Sequence, residues 1–167
     1  MSSLHQPLEA ALGDLLRQRG LKLATAESCT GGLVGHRVTN IPGSSDYYLG
    51  GIVAYANDAK LRLLGVRPET LQAHGAVSQE TVLEMARGVR RVLGADIGVS
   101  VSGVAGPGGE MPGKPVGLVW LGLSTPRGEW AVQCQFHGGR VEIKESSAEK
   151  ALELIVNYLN GELNGTG

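Results

Sequence analysis

Three short stretches hold the side chains with the most chemical potential. In AESCTGG (26–32), Ser28 and Cys29 stand side by side where an apolar run meets two glycines. In YANDAK (55–60), Tyr55 and Lys60 flank Asn57, and in FHGGR (136–140), Arg140 follows a glycine pair. A serine hydroxyl becomes a nucleophile only beside a base. Lys60 qualifies as that base if desolvation or a neighbouring cation lowers its pKa toward neutrality, with Tyr55 relaying a proton or orienting the amine. The planar fork of Arg140 suits a phosphate or carboxylate. Backbone N–H groups at a strand-to-helix turn, approached closely over Gly31 and Gly32, would cradle an oxyanion or anion.

Each of these residues also has an ordinary reading. Ser28 fits the N-cap of the helix that follows. Cys29 fits a small buried residue: as a nucleophile it needs a histidine, and His36 lies about 10 Å away along a helix at ~1.5 Å per residue. Lys60 reads equally as a solvated helix residue, Tyr55 as a core aromatic and Arg140 as a surface side chain. The segment 100–107, SVSGVAGP, is either a substrate-hugging loop or a turn. Residues 108–114 match the GxxxxGK start of a phosphate loop, but Pro115 stands where Ser or Thr would hold magnesium and open a helix. Lys114 therefore reads as a loop residue.

The elements that must position these side chains alternate along the chain. Leu8, Ala11, Leu12, Leu15 and Leu16 recur at helical spacing, and Gly20 closes that helix. Strand-like LKLATAE (21–27) leads to a helix over 31–41, with the paired glycines in its first turn and Pro42-Gly43 ending it. A strand over 48–56 leads to a short helix with Asn57 as its N-cap, and Pro68 opens another. Ser78 caps a helix whose apolar face is Val82, Met85, Ala86, Val89, Val92 and Leu93, stopped by Gly94. A small-residue strand (97–106) runs into the loop GPGGEMPGKP. A hairpin then turns at Pro126-Arg127-Gly128, and a helix spans Val141 to Leu159. This order predicts a single three-layer α/β/α domain with a mixed sheet, occupying all of 1–167.

Composition excludes several function classes. The chain has 167 residues, 42% of them hydrophobic, and a formal net charge of −1 with no basic block, so no nucleic-acid partner is expected. No apolar run reaches the ~18 residues of a membrane span, and the amino terminus lacks the cationic and apolar regions of a signal peptide. Cys29 and Cys134 do not make a disulfide framework and suit a reducing cytoplasm. His5, His36, His74 and His137 have no metal-ligand spacing, so neither metal nor cofactor is expected. A symmetric homo-oligomer is the prior for a small α/β enzyme.

AESCTGG, YANDAK, HGAVS, VSGVAGPGG, KPVGLVW and FHGGR, in that order, resemble the CinA C-terminal domain family from about Leu8 to Leu159. Its characterised enzyme members are nicotinamide-nucleotide amidohydrolases (NMN deamidases). The resemblance implies an α/β/α fold and hydrolysis of the carboxamide of nicotinamide mononucleotide to nicotinate mononucleotide and ammonia. It places the catalytic serine on Ser28, the lysine on Lys60, the tyrosine on Tyr55 and a phosphate-side arginine on Arg140. Thr30, Gly31, Gly32, Asn57, Ser102, Gly103, Ala105 and Gly106 complete the expected substrate contacts. Gly139 replaces a usual Asp and Lys144 a frequent Arg, both near the expected phosphate contact. Longer relatives carry an additional N-terminal domain, and this chain resembles the stand-alone form. The competing expectations are a non-catalytic nucleotide-binding module and an amidohydrolase for another pyridine or nucleoside amide.

Overall fold

Residues 6–163 are described by a computed structural model of the chain; the first five residues, part of the stretch read above for a targeting signal, lie outside them. Five strands form one sheet in the order β2-β1-β3-β4-β5. They are β1 (Leu23–Glu27), β2 (Tyr48–Val53), β3 (Ile97–Gly103), β4 (Leu118–Thr125) and β5 (Gly128–Gln135). β1 runs parallel to both β2 and β3, whereas β3, β4 and β5 are antiparallel neighbours. The sheet is therefore mixed.

The two faces of the sheet differ in side-chain size, and that difference decides which helices each receives. On one face Leu23, Ile97, Val99, Val101, Val119, Leu121 and Leu123 join a core with α1 (Leu8–Arg19), α2 (Leu33–Thr39) and α6 (Arg140–Leu159). Alternate residues face the other way, and there Ala24, Ala26, Gly98, Ser100 and Gly122 are all small. They let α5 (Gln79–Leu93) approach until a Cβ on Gly98 or Gly122 would stand 2.3 Å from the Ala86 or Val82 carbonyl oxygen. Ser100 Oγ donates to the Val82 carbonyl at 2.6 Å. α3 (Asn57–Leu64) and α4 (Pro68–His74) pack on α5 in this outer layer. The result is a three-layer α/β/α sandwich.

Local punctuation explains most boundaries. Ser78 Oγ accepts from the Thr81 amide at 3.2 Å, Pro68 is the first residue of α4, and Gly20 and Gly94 close their helices in the left-handed region. Three expectations need correction. Asn57 is the first residue of α3, which Ala56 precedes without a side-chain cap. The paired glycines lie before α2, with Gly32 at its N-cap. Val92 is not part of the buried face of α5 but 53% exposed. Among the described residues no helix is long and apolar enough to cross a membrane.

Tyr47 supplies a stability test. It is 1% exposed, yet its hydroxyl has no hydrogen-bond partner and sits where any side chain on Gly13 would stand. The Arg17 guanidinium lies 5.2 Å from the ring centroid, a contact that phenylalanine would keep. Burying an unpaired hydroxyl costs about 1–3 kcal/mol. Tyr47→Phe is expected to hold or raise the melting temperature, by up to about 4 °C in a thermal melt.

Candidate active site

Three parallel strands end at one edge of the sheet, and each delivers residues singled out above: Ser28 after β1, Tyr55 after β2, and Ser102 to Gly106 at the end of β3. In an open α/β sheet the crevice outside the carboxyl ends of the strands is the natural ligand site. A cleft of about 260 Å³ lies there, lined by Ser28, Tyr55, Asn57, Lys60, Ser102, Gly103, Ala105, Gly106 and Arg140 together with loop residues. No lining residue is acidic. Arg140 gives the cleft its fixed positive charge.

At its floor, Lys60 Nζ lies 3.0 Å from Ser28 Oγ and 3.1 Å from the Tyr55 carbonyl oxygen. Lys60 is 1% exposed and Ser28 8%. The lysine is carried there because α3 starts immediately after β2 and turns its fourth residue inward. Burial pushes the ammonium pKa below the ordinary lysine value, with the nearby Cys29 acting weakly in the opposite direction. An amine that burial makes easier to deprotonate, set against an alcohol, is the pairing that general-base activation requires. Ser28 is held in turn by the sheet: its N–H donates to the Val101 carbonyl at 3.0 Å, one residue before Ser102.

Tyr55 meets the amine through its backbone. Its carbonyl, not its phenol, meets the amine. The phenol is exposed and accepts from Arg140 Nη2 at 3.0 Å, while Arg140 Nη1 donates to the Gly106 carbonyl at 2.7 Å. Arg140 thereby joins the first turn of α6, the β2–α3 junction and the glycine-rich loop after β3. Gly106 has φ +79, and a Cβ there would strike the Val116 side chain at 2.5 Å, so the loop needs glycine at this point.

Part of the helix-start cradle expected at Thr30, Gly31 and Gly32 is engaged within the chain itself. The Glu27 carboxylate, 2% exposed, already accepts from Thr30 Oγ1 at 2.6 Å, the Val34 amide at 2.8 Å and the Gly35 amide at 3.0 Å. The Gly31 amide donates to the Ser28 carbonyl at 3.0 Å, and the Leu33 amide to Thr30. Neither Thr30, Gly31 nor Gly32 lines the cleft. The glycines instead permit the turn, with φ +61 and +105. Sequence reasoning missed Glu27. The available signal was a helix start with glycine at its N-cap, which leaves its amides to be satisfied from elsewhere.

Cys29 lines the cleft, but burial pushes its thiol up to about 11, which disfavours the thiolate that would react. No histidine lines the cleft: His36 belongs to a separate groove with Glu9 and Arg37. Lys114, from the GxxxxGK decoy, donates to the His74 carbonyl and ties the glycine-rich loop to the end of α4. Ala76 and Val77, just beyond that point, line the cleft and had carried no assigned role. Among the described residues no group of three or more His, Cys, Asp or Glu side chains is placed to hold a metal ion.

Comparison with known proteins agrees with the fold and with the family resemblance. The CinA C-terminal domain matches residues 5–159. A CinA-like protein of Chloroherpeton thalassium is 51% identical over 158 residues, covering 92% of this chain and 38% of that protein. One from Salinibacter ruber is 53% identical over 146 residues, covering 87% and 35%. The chain thus spans under two fifths of the length of these curated relatives. A CinA superfamily protein from Klebsiella pneumoniae superposes with a TM-score of 0.89 at 33% identity, covering 92% of this chain and 96% of that one. The competence/damage inducible protein CihA from Agrobacterium tumefaciens gives 0.86 at 41% identity, covering 96% and 99%. The chain belongs to the CinA C-terminal domain family.

Proposed function

We propose that this domain is an amidohydrolase that removes ammonia from the carboxamide of nicotinamide mononucleotide. The observation that carries the reading is the 3.0 Å contact between Ser28 Oγ and the buried amine of Lys60. Ser28 Oγ attacks the carboxamide carbon while uncharged Lys60 takes its proton, and the carbonyl electron pair moves onto oxygen. The Cys29 and Thr30 amides follow Ser28 directly in the chain and are claimed by neither Glu27 nor the Ser28 carbonyl, which supports them as donors to that oxygen. On collapse the Lys60 ammonium returns the proton, ammonia leaves, and a nicotinoyl ester remains on Ser28. Water, deprotonated by the same amine, then hydrolyses that ester to nicotinate mononucleotide and regenerates the serine.

Arg140 in a lining without acidic residues supports a substrate that carries a phosphate. Arg140 uses two of its five N–H donors on Tyr55 and Gly106, leaving others for an anion. Arg140→Gln is expected to raise KM for the mononucleotide roughly 10- to 100-fold, the worth of one or two charge-assisted hydrogen bonds, with little change in kcat. Nicotinamide riboside, which lacks the phosphate, should be turned over equally by both proteins. The decisive measurement is ammonia release from the mononucleotide, the riboside, the dinucleotide and free nicotinamide in parallel. Release from none of them rejects the amidohydrolase reading, and stabilisation by mononucleotide without turnover would instead favour a binding module.

A further inference from the structure

The geometry points to Glu27 as a positioning residue for the nucleophile, an inference that rests on the serine reading above. Glu27 is a buried carboxylate that the chemistry itself does not use. It ends β1, its backbone paired in register with Val53 on one side and Val101 on the other. Its side chain reaches over the next turn and gathers three donors, Thr30 Oγ1, Val34 N–H and Gly35 N–H. Ser28 is the first residue of the segment enclosed by those contacts.

That segment has little else to fix it. Residues 28–32 lie between a strand and a helix, and two of the five are glycines in the left-handed region. Glycine widens the conformational choice of a turn, so a turn that must hold a hydroxyl 3.0 Å from an amine needs an external brace. The Val101 carbonyl holds the Ser28 amide from the sheet side. Glu27 holds the far end, locking Thr30 and the start of α2 to the strand that precedes the nucleophile. The same negative charge also disfavours ionisation of Cys29, keeping the neighbouring thiol out of the reaction.

Glu27→Gln keeps the shape but places an NH2 group against N–H or O–H donors, so at least one of the three contacts is lost. Misplacing a reacting group by about 1 Å costs on the order of 10²-fold in rate. The variant is therefore expected to lose roughly 10- to 100-fold in kcat per folded active site, with KM within about twofold. Thr30→Val, which removes one donor and leaves the carboxylate, is expected to lose roughly 3- to 10-fold. The rate at which a fluorophosphonate labels Ser28, followed by intact mass, should fall in parallel.

Labelling reads the hydroxyl whatever amide the enzyme prefers. A wild-type chain that labels at Ser28 but releases no ammonia would reject the proposed substrate while leaving the comparison of variants decisive. Unchanged labelling and kcat in both variants would overturn the inference, as would a rise in KM alone. So would a loss confined to the number of folded molecules. Should Glu27→Gln not fold, Thr30→Val decides by the same readouts. A chain not labelled at Ser28 at all overturns the positioning role together with the nucleophile.

Discussion

Lys60→Met should lose roughly 10²- to 10⁴-fold in kcat/KM, the range for removing a positioned general base, while becoming relatively more stable as the pH is lowered. Both effects have one cause. The amine is 1% exposed, and desolvation depresses its pKa below the ordinary lysine value of 10.5. Between that depressed value and 10.5, the unfolded chain binds a proton that the folded chain does not. Stability contributed by this group is therefore greatest above 10.5, falls as the pH falls, and levels off below the folded-state pKa. Methionine has nearly the same shape and no proton to lose, so its stability curve lacks this slope. Its lost contacts to Ser28 and the Tyr55 carbonyl, about 0.5–1.5 kcal/mol each, do not depend on pH and cannot imitate the trend. Thermal melts across the alkaline range should show wild type gaining on the variant as the pH rises toward 10.5. Parallel curves, or a variant that still releases ammonia at the wild-type rate, would reject Lys60 as a buried base.

The same titration governs the rate. Only the uncharged amine accepts the serine proton, so kcat/KM is expected to rise with pH through the depressed Lys60 pKa. A fold that carries an unpaired lysine into its interior gives up stability at neutral pH in order to hold a base there, a common association of strain with active sites. No acidic residue lines the cleft to restore the ammonium form. The absence of such a partner matters as much to the chemistry as the presence of the lysine.

How far the sequence could be read depends on whether a signal is local. The elements followed from periodicity and punctuation: Pro68, Ser78, Gly20 and Gly94 act within one turn of themselves, and their effects are visible in the string. The small residues of β3 were legible as a pattern, but their purpose was not, because α5, which approaches them, is a separate element. The pairing of Ser28 with Lys60 joins residues 32 apart; the serine's need of a base raised it as a candidate, and the ordered match of several motifs added weight. Tyr55 was legible as a partner of the amine, but composition cannot say that its carbonyl oxygen, not its phenol, makes the contact. Glu27 looked like the last residue of an alternating strand. Its role depends on a helix start six residues later that lacks a polar cap of its own, a relation that no residue reveals alone.

Ser28→Ala should lose at least roughly 10³-fold in kcat, leaving only what binding and the remaining polar groups supply, whereas Cys29→Ala should stay within about twofold of wild type. The two side chains are adjacent, both line the cleft, and sulfur is intrinsically the better nucleophile, so the argument rests on ionisation and contact. With its thiol pushed up to about 11, roughly one Cys29 in a thousand is thiolate at pH 8. Burial is the main cause, the Glu27 charge adds to it, and the cations of Lys60 and Lys144 only partly oppose it. Ser28 by contrast has the amine at 3.0 Å and needs no standing negative charge, because its proton leaves as the bond forms. Intact mass after mixing with substrate should show a nicotinoyl adduct on wild type and Cys29→Ala, and none on Ser28→Ala. An active Ser28→Ala protein with a dead Cys29→Ala would transfer the nucleophile to sulfur, and the amine would then have to act on the thiol.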